Sequence, residues 1–507
     1  VTVYRVWLEL SAGAFTDVTA DVVTSGSRAI SGKRGSGQSS PTDLTAEIGT
    51  LEFWLRNDAR PGKPQGYYSP YHAACRAGFK RGIGVKLIAV KADATTWPMW
   101  RGTIRKISPT SGKNGEQQTY CYATDVMENL TDTNVKSMMQ QIGKTEVELT
   151  QAIIAAVPAS ARPVATSYDT ALDVYDYAFY DMGGDTPSAR FLLDSVMQNA
   201  RGRLYVAGDG TLTYVNRHTL SGRASVATFN DAFQGIVVDD GLENTFNRIQ
   251  ITQHPKRPTA AGLAAAPNTV LFADTSAVAI QPGQSVVLWA DYRDPNNTEK
   301  LLGAASVVTP LVATTDYVAN SASDGSGSDM TASVSAAGTV GFSSSVMFTF
   351  TNSAAVVAYL TLRQIRGKAI YDDAPITVQS YTAKDYGDRL LSLDLKYISS
   401  TATAQDLADF INASFNDPSN QAREIFIVPS HSASLLTHSL TREIGDIVTA
   451  SETLTGLTNA TLMIVGLRFE ITSDLVRHWW TVIPSLVQAA WIFDQSKFDV
   501  DLIFGYA

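Results

Sequence analysis

The chain has 507 residues, long for a single hydrophobic core, so two to four domains are expected. Only 18% of residues are charged, the net charge is −9, and 44% are hydrophobic. That balance argues against a general basic surface for gripping nucleic acid. Just two cysteines, Cys75 and Cys121, stand without a Cys-x-x-Cys pair, which excludes a disulfide framework and a cysteine-rich zinc site. No run approaches the ~18–20 apolar residues of a membrane span. The N-terminus, Val1 to Trp7, alternates like a strand and lacks a signal peptide's apolar block, so folding in a reducing cytosol is expected. Ser, Thr, Ala and Val dominate and long helix-forming runs are few, which favours β structure.

In chain order, Phe15-Thr16-Asp17-Val18-Thr19-Ala20-Asp21-Val22 leads to a glycine-rich segment, Gly32-Lys33-Arg34-Gly35-Ser36-Gly37. We expect this segment to be a hairpin loop with Lys33 and Arg34 as solvated charges able to meet a neighbour. In Gly49–Asn57, Leu51, Phe53 and Leu55 alternate with Glu52, Trp54 and Arg56, the period of a strand with one face in a core. An aromatic on the other face, Trp54, implies that this face too is covered, by another chain. Further strands are expected at 85–90, 100–104 and 118–123. Thr145–Val157 predicts a helix, with Leu149, Ile153 and Ala156 on one face and Pro158 beyond its end. A second helix is expected from Thr186 as cap and Pro187 in the first turn, with Phe191, Leu192, Ser195, Val196 and Asn199 as its stripe and Gly202 as its end. It feeds a hairpin turning at Gly208-Asp209-Gly210. Residues 268–359 are rich in Ala, Val, Ser and Thr and read as a β-sandwich-like insertion. A third helix is expected over 403–416. Gly445-Asp446 predicts a tight turn, and Gly466 a sharp strand bend.

The ordered set of pieces resembles the hub proteins of bacteriophage tails: the aromatic-x-Asp-Val-Thr-x-Asp-Val opening, Gly-Thr-x-x-Phe-x-Leu-x-Asn at 49–57, the Ser69-Pro70 loop and Trp100-Arg101-Gly102-Thr103-Ile104. The closing Gly445-Asp446-Ile447-Val448, Ile464-Val465-Gly466 and Trp480-Thr481-Val482-Ile483-Pro484 segments are similar to the same family. The resemblance spans roughly 1–255 and 360–484. It implies a mainly β, multi-domain fold with α+β parts. The expected division is an N-terminal hub β-barrel at 1–107 and an α+β domain with a helix–hairpin unit at 108–235. A second hub β-barrel with an associated helix would occupy 236–267 and 360–484, followed by a C-terminal docking segment at 485–507.

What the resemblance implies for function is a structural, non-enzymatic virion protein of a siphophage-type tail, assembled in the host cytoplasm. It would form a homotrimeric ring at the tail tip or baseplate. Two barrels in each of three copies would adapt a six-fold tail tube or distal tail protein to three-fold symmetry. Tape measure protein would sit in the lumen, DNA would pass transiently, and fibres or other tip proteins would attach. Candidate interface residues are Trp54, Lys33, Arg34, Trp479, Trp491 and Phe504.

No catalytic, cofactor or metal site is expected. The six histidines are scattered without His-Glu-x-x-His spacing, and no Gly-x-Ser-x-Gly elbow occurs. The 32–37 segment lacks phosphate-loop spacing, and neither 181–185 nor 324–329 matches an EF-hand loop. Two other readings stand beside the hub. In one, the insertion binds host surface carbohydrate and makes the chain an adhesin, for which the aromatics Trp289 and Tyr292 speak. In the other, the chain is a tail-associated cell-wall hydrolase whose carboxylate pair no motif reveals.

Overall fold

A computed structural model describes residues 2–37, 42–111, 117–135, 138–179, 187–231, 233–239, 242–258, 269–294, 296–417 and 421–485. The expected docking segment beyond Ser485, with Trp491 and Phe504, lies outside them, as does Thr186. Strand outweighs helix, 48% against 16%, so backbone pairing is what positions the surfaces.

The first strands are β1 (Thr2–Ser11), β2 (Ala14–Asp17), β3 (Ile30–Gly35), β4 (Thr50–Arg56), β5 (Gly84–Lys91), β6 (Thr96–Thr110) and β7 (Gln118–Thr124). They pair in the order β3-β4-β7-β6-β5-β1-β2. Inward residues Val6, Leu8, Leu51, Phe53, Leu55, Val85, Leu87, Cys121 and Ala123 are fully buried in one core. The opening motif is the clasp of this half. Asp17 accepts the Thr19 amide at 2.8 Å, and the Thr19 hydroxyl accepts the Val6 amide at 3.0 Å. Buried Asp21 receives Arg60 at 2.6 Å, Lys63 at 2.5 and 2.7 Å and the Tyr68 hydroxyl, fastening the long loop between β4 and β5. Charge-assisted bonds of this kind replace the water that Asp21 loses.

The glycine-rich segment expected as a loop is a strand. β3 pairs with β4 on one side and with β23 (Leu457–Ile471) on the other, so it is the seam between the two halves of a 14-stranded sheet. Its glycines are there for contact. A Cβ on Gly32 would stand 2.4 Å from the Phe469 ring, and Gly35, at φ +87°, lies against the Val465 carbonyl and Gly466. Beyond the seam the order continues β23, β24 (Val476–Pro484), β21 (Gln421–Ile427) and β11 (Gly235–Asp239). A branch from β23 leads to β22 (Ile447–Glu452) and β10 (Ser225–Asn230). This half has its own core around Ile425, Ile447, Ile464, Trp480 and Val482. Gly445, at φ +86°, makes the predicted turn, closed by Asp446 N to Glu443 O at 3.1 Å, and the β23–β24 ladder shifts register between Ile464 and Gly466. The hydrogen-bonded path does not close among the described residues. The two predicted barrels correspond to the two halves of this sheet, each with its own core.

Between the halves in sequence lie α1 (Val126–Asp132), α2 (Glu146–Ala156), α3 (Ala189–Ala200), the hairpin β8 (Arg203–Val206) and β9 (Thr211–Val215), and α4 (Arg217–Gly222). A Thr145–Glu148 capping box starts α2. The cap of α3 is Ser188, whose hydroxyl accepts the Phe191 amide at 3.2 Å. Pro187 precedes the cap, and Arg201, at φ 55°, ends the helix ahead of Gly202. Its buried stripe is Ala189, Leu192, Leu193, Val196, Met197, Asn199 and Ala200, with Phe191 facing out. Arg217 opens α4 and grips buried Asp173 at 2.5 and 2.9 Å. Strands β12 (Arg248–Gln253), β19 (Ile376–Tyr381) and β20 (Leu390–Leu395), with α5 (Thr401–Phe415) packed over them, share one core with α1, α2 and α3. Although expected with the second barrel, they complete the α+β unit, because the buried faces of the helices need a sheet to cover them.

The insertion has a separate core. Fifteen-residue β18 (Ala358–Asp372) pairs with strands including β13 (Thr269–Asp274) and β15 (Tyr317–Asn320), opposite a sheet of β14 (Ser285–Asp291), β17 (Ser345–Asn352) and β16 (Val334–Gly341). Its buried residues run through Tyr371, beyond the expected limit at 359.

Two predictions concern the seam. Gly32→Ala drives a methyl into the Phe469 ring and is expected to cost about 1–3 kcal/mol in a denaturant melt; an unchanged midpoint would show that β3 and β23 are not in register. His478 lies on the same buried row, beside Phe469. Burial, then the nearby Arg34 charge, lowers its pKa from 6.5 to about 3. The unfolded chain then binds a proton below pH 6.5 that the folded chain refuses until about pH 3. Stability should therefore fall through that window by up to ~1.4 kcal/mol per pH unit from this residue. His478→Phe should flatten the slope between pH 6.5 and 5, whereas identical slopes would mean that His478 protonates freely in the fold.

Candidate interface

Period-two alternation assigns every seam side chain to one of two faces. Cross-strand partners Phe426 and Trp479, then Arg468, Lys33 and Thr50, follow one another through β21, β24, β23, β3 and β4. Directly opposed residues of antiparallel strands project from the same face, so this row is a single band. Glu52 and Trp54 follow Thr50 at steps of two, and Tyr120 stands opposite Trp54 on β7. Three of the sequence candidates, Trp54, Lys33 and Trp479, therefore share the outer face of a continuous sheet, though they lie up to hundreds of residues apart in the chain.

Arg34 does not join them. It occupies the core face, is 8% exposed, and pairs with Glu443. Burial lowers its pKa to about 10, which leaves it charged at neutral pH. The expected solvated charge is a buried tie between the seam and the turn at 443–446, since consecutive strand residues cannot face the same way. Lys33 is exposed, 3.3 Å from Glu47. Trp491 and Phe504 fall outside the described residues.

The outer face carries the same small construction twice. On the N-terminal half, the Arg28 guanidinium lies 3.8 Å from the Trp54 ring centre, Tyr120 packs at 5.0 Å, and the Tyr120 hydroxyl donates to Glu52 at 2.9 Å. Partial burial, then the Glu52 carboxylate, raises the Tyr120 pKa, so the phenol keeps its proton. On the other half, the Arg468 guanidinium lies 4.3 Å from the Trp479 ring, Phe426 stacks at 5.2 Å and 22°, and Arg468 reaches Glu424 at 3.4 Å. Each cluster thus combines a tryptophan, a second aromatic, a stacked arginine and a carboxylate. Both tryptophans are half-buried by their own chain. Amphipathic rings with a stacked guanidinium give rigid contact area with little side-chain entropy left to lose, the composition of protein-contact hot spots. The phenylalanine and tyrosine partners and the two arginines carry no sequence signal of their own; only register brings them to the tryptophans. Among the described residues no group of three or more His, Cys, Asp or Glu is placed to hold a metal ion, and no helix is long and apolar enough to cross a membrane.

No protein-family model matches the sequence, and no curated protein matches it. Solved structures give distant likenesses. A 43 kDa tail protein of prophage MuSo2 from Shewanella oneidensis aligns with a TM-score of 0.49 and 10% identity, over 95% of this chain and 99% of that one. A tail protein from Neisseria meningitidis MC58 aligns with a TM-score of 0.49 and 9% identity, over 95% and 96%. An Escherichia coli type VI secretion system component with structural similarity to two T4 bacteriophage tail proteins aligns with a TM-score of 0.38 and 7% identity, over 91% and 74%.

Proposed function

We propose that the chain is a non-enzymatic hub of a long-tailed phage, forming a homotrimeric ring at the distal end of the tail tube. The observation that carries this reading is the duplicated outer-face cluster, Trp54–Tyr120–Arg28 on one half of the sheet and Trp479–Phe426–Arg468 on the other. Three copies would present six similar patches, the number a six-fold tube or distal tail ring requires. Lys33, between the clusters, would meet an acidic group of that neighbour. The ordered motifs of the opening and closing segments support the same reading, and the Asp21 clasp gives one of them a structural role.

In this reading the two sheet halves are the ring-forming modules. The α+β unit joins them and takes in β12, β19, β20 and α5, and the insertion spans about 256–372, as its ladders and core support. Tape measure protein would occupy the lumen, DNA would cross it during ejection, and fibres or other tip proteins would attach distally. The protein would reside in the virion tail tip after assembly in the host cytoplasm.

The test is the mass of the purified chain by light scattering, with negative-stain images, alone and with tail tube. A three-fold ring with an axial hole is expected in at least one condition; a monomer in both overturns the proposal. Trp54→Ala and Trp479→Ala should each weaken tube binding by about 1–2 kcal/mol, roughly 5–30-fold, with a cooperative melting transition retained. A loss confined to one tryptophan would exclude equivalent use of the two patches.

A further inference from the structure

The insertion turns one sheet face outward that the hub reading does not use. Strands β14, β17 and β16 pair in that order, with Ser285, Val287 and Trp289 opposed to Thr351, Thr349 and Met347. Opposed residues share a face, and alternation sends Val286, Leu288 and Ala290 to the core instead. Val287 and Trp289 are each 52% exposed. Phe342, in the turn between β16 and β17, is buried and lies against Trp289, with ring centres 5.3 Å apart and planes at 23°. The indole thus rests one broad face on Phe342 and offers the other to solvent. Tyr292, the second aromatic expected to meet a ligand, is fully buried in the core of the insertion.

Size and charge decide what fits this face. The sheet is three-stranded, so at ~4.8 Å between strands and ~3.4 Å per residue the span from Ser285 to Trp289 is about 10 by 14 Å between backbones. Even with side-chain width added, that is well short of the ~800 Å² per partner of a stable protein interface. A short oligosaccharide covers it. The three strands carry a single charged residue, Asp291, which follows Trp289 at a step of two, is 56% exposed and has Arg293 at 3.8 Å to balance its charge. The other polar groups of the face are the hydroxyls of Ser285, Ser335, Thr349 and Thr351 and the indole N–H. Ser285 and Thr351 already share a hydrogen bond at 2.7 Å, and each oxygen keeps a further lone pair. A flat, near-neutral face of this kind suits a molecule with C–H bonds on one side and hydroxyls around its edge. Ring C–H groups meet the negative face of the indole, and two adjacent ring donors can reach the two oxygens of Asp291.

We propose that this face binds a neutral pyranose oligosaccharide, with one sugar ring stacked on Trp289 and an adjacent pair of ring donors held by Asp291. A plain β-glucan and an N-acetylated amino-sugar chain share that chemistry, since each offers an open C–H face and two neighbouring donors. The inference stands independently of the hub reading, because a chain that never forms a ring still carries this face.

The experiment titrates the full chain by calorimetry and saturation-transfer NMR with cellotetraose, the N-acetylglucosamine tetramer, tetragalacturonate and sorbitol. At least one neutral tetramer is expected to saturate at about 1 mM or tighter, with its ring C–H protons receiving the strongest transfer. Tetragalacturonate, which is anionic, and sorbitol, which has the hydroxyls without the ring, should bind at least about tenfold more weakly. Binding of cellotetraose alone would identify a glucan as the source, and of the other tetramer alone an N-acetylated chain; binding of both would mean that the face reads the ring and not its substituent. Trp289→Ala should lose at least about tenfold in affinity, whereas Trp289→Tyr, which keeps a flat ring over Phe342, should stay within about threefold. Asp291→Asn, an exposed change that leaves the core untouched, should lose about tenfold. No saturable binding of either neutral tetramer, sorbitol or tetragalacturonate binding as tightly, or unchanged affinity in folded Trp289→Ala or Asp291→Asn would overturn the proposal.

Discussion

The architecture depends on one strand, β3, being able to pair on both edges at once. Its six residues join β4 of the first half to β23 of the second, and the close approach is possible because Gly32 and Gly35 carry no side chain toward Phe469, Val465 and Gly466. A methyl group at either position collides with backbone or with an aromatic ring, so the join is a packing constraint before it is a hydrogen-bonding one. Arg34, between these glycines, adds an ion pair to Glu443, whose turn leads into β22. The seam thereby fixes the angle, the register and the facing of two halves whose cores are otherwise separate.

Register, once fixed at the seam, decides the surface. A shift by one residue would turn Lys33, Arg468 and Trp479 inward and expose Gly32, Phe469 and His478. The correct register gives a polar and aromatic band that runs unbroken from β21 to β7. Its tryptophans are steadied by arginines of their own chain and are therefore preorganised for contact, which lowers the entropy that a partner's docking must overcome. The buried neutral histidine beneath the band contributes to this rigidity only while it stays unprotonated, which couples the seam to acidity.

The remaining parts are built to leave that sheet undisturbed. The α+β unit has its own core, and its hairpin tip rests on β6, where Gly208 meets Pro98 and Gly210 meets Arg101. The insertion leaves and rejoins next to β12 and β19, so its two sheets form a body whose core includes no residue of the large sheet. A self-contained insertion of this kind can take on a recognition task without altering the scaffold.

Much of this was legible in the sequence, because local rules act over a few residues. Alternation in Gly49–Asn57 located a strand and named its buried face. Leu149, Ile153 and Ala156 on one face marked a helix over 145–157, Asp209-Gly210 a hairpin, and Gly445-Asp446 a turn. The loop assigned to Gly32–Gly37 failed for a physical reason: glycine usually signals a turn, and only the presence of Phe469, more than 430 positions away, makes its missing side chain a packing requirement. Of the stripe expected for α3, Leu192, Val196 and Asn199 are buried, whereas Phe191 faces out, because the buried face centres on Leu193, Val196, Met197 and Ala200. Likewise β12 and α5 showed their periods but not their allegiance, since which core a buried face joins depends on what else needs covering. The sequence by itself determined the elements, their inward faces and the two tryptophans. Only the tertiary structure decided that Arg34 is buried and that Arg28 and Arg468 stack on those tryptophans, because each of these depends on strand pairing between distant segments, which no local pattern encodes.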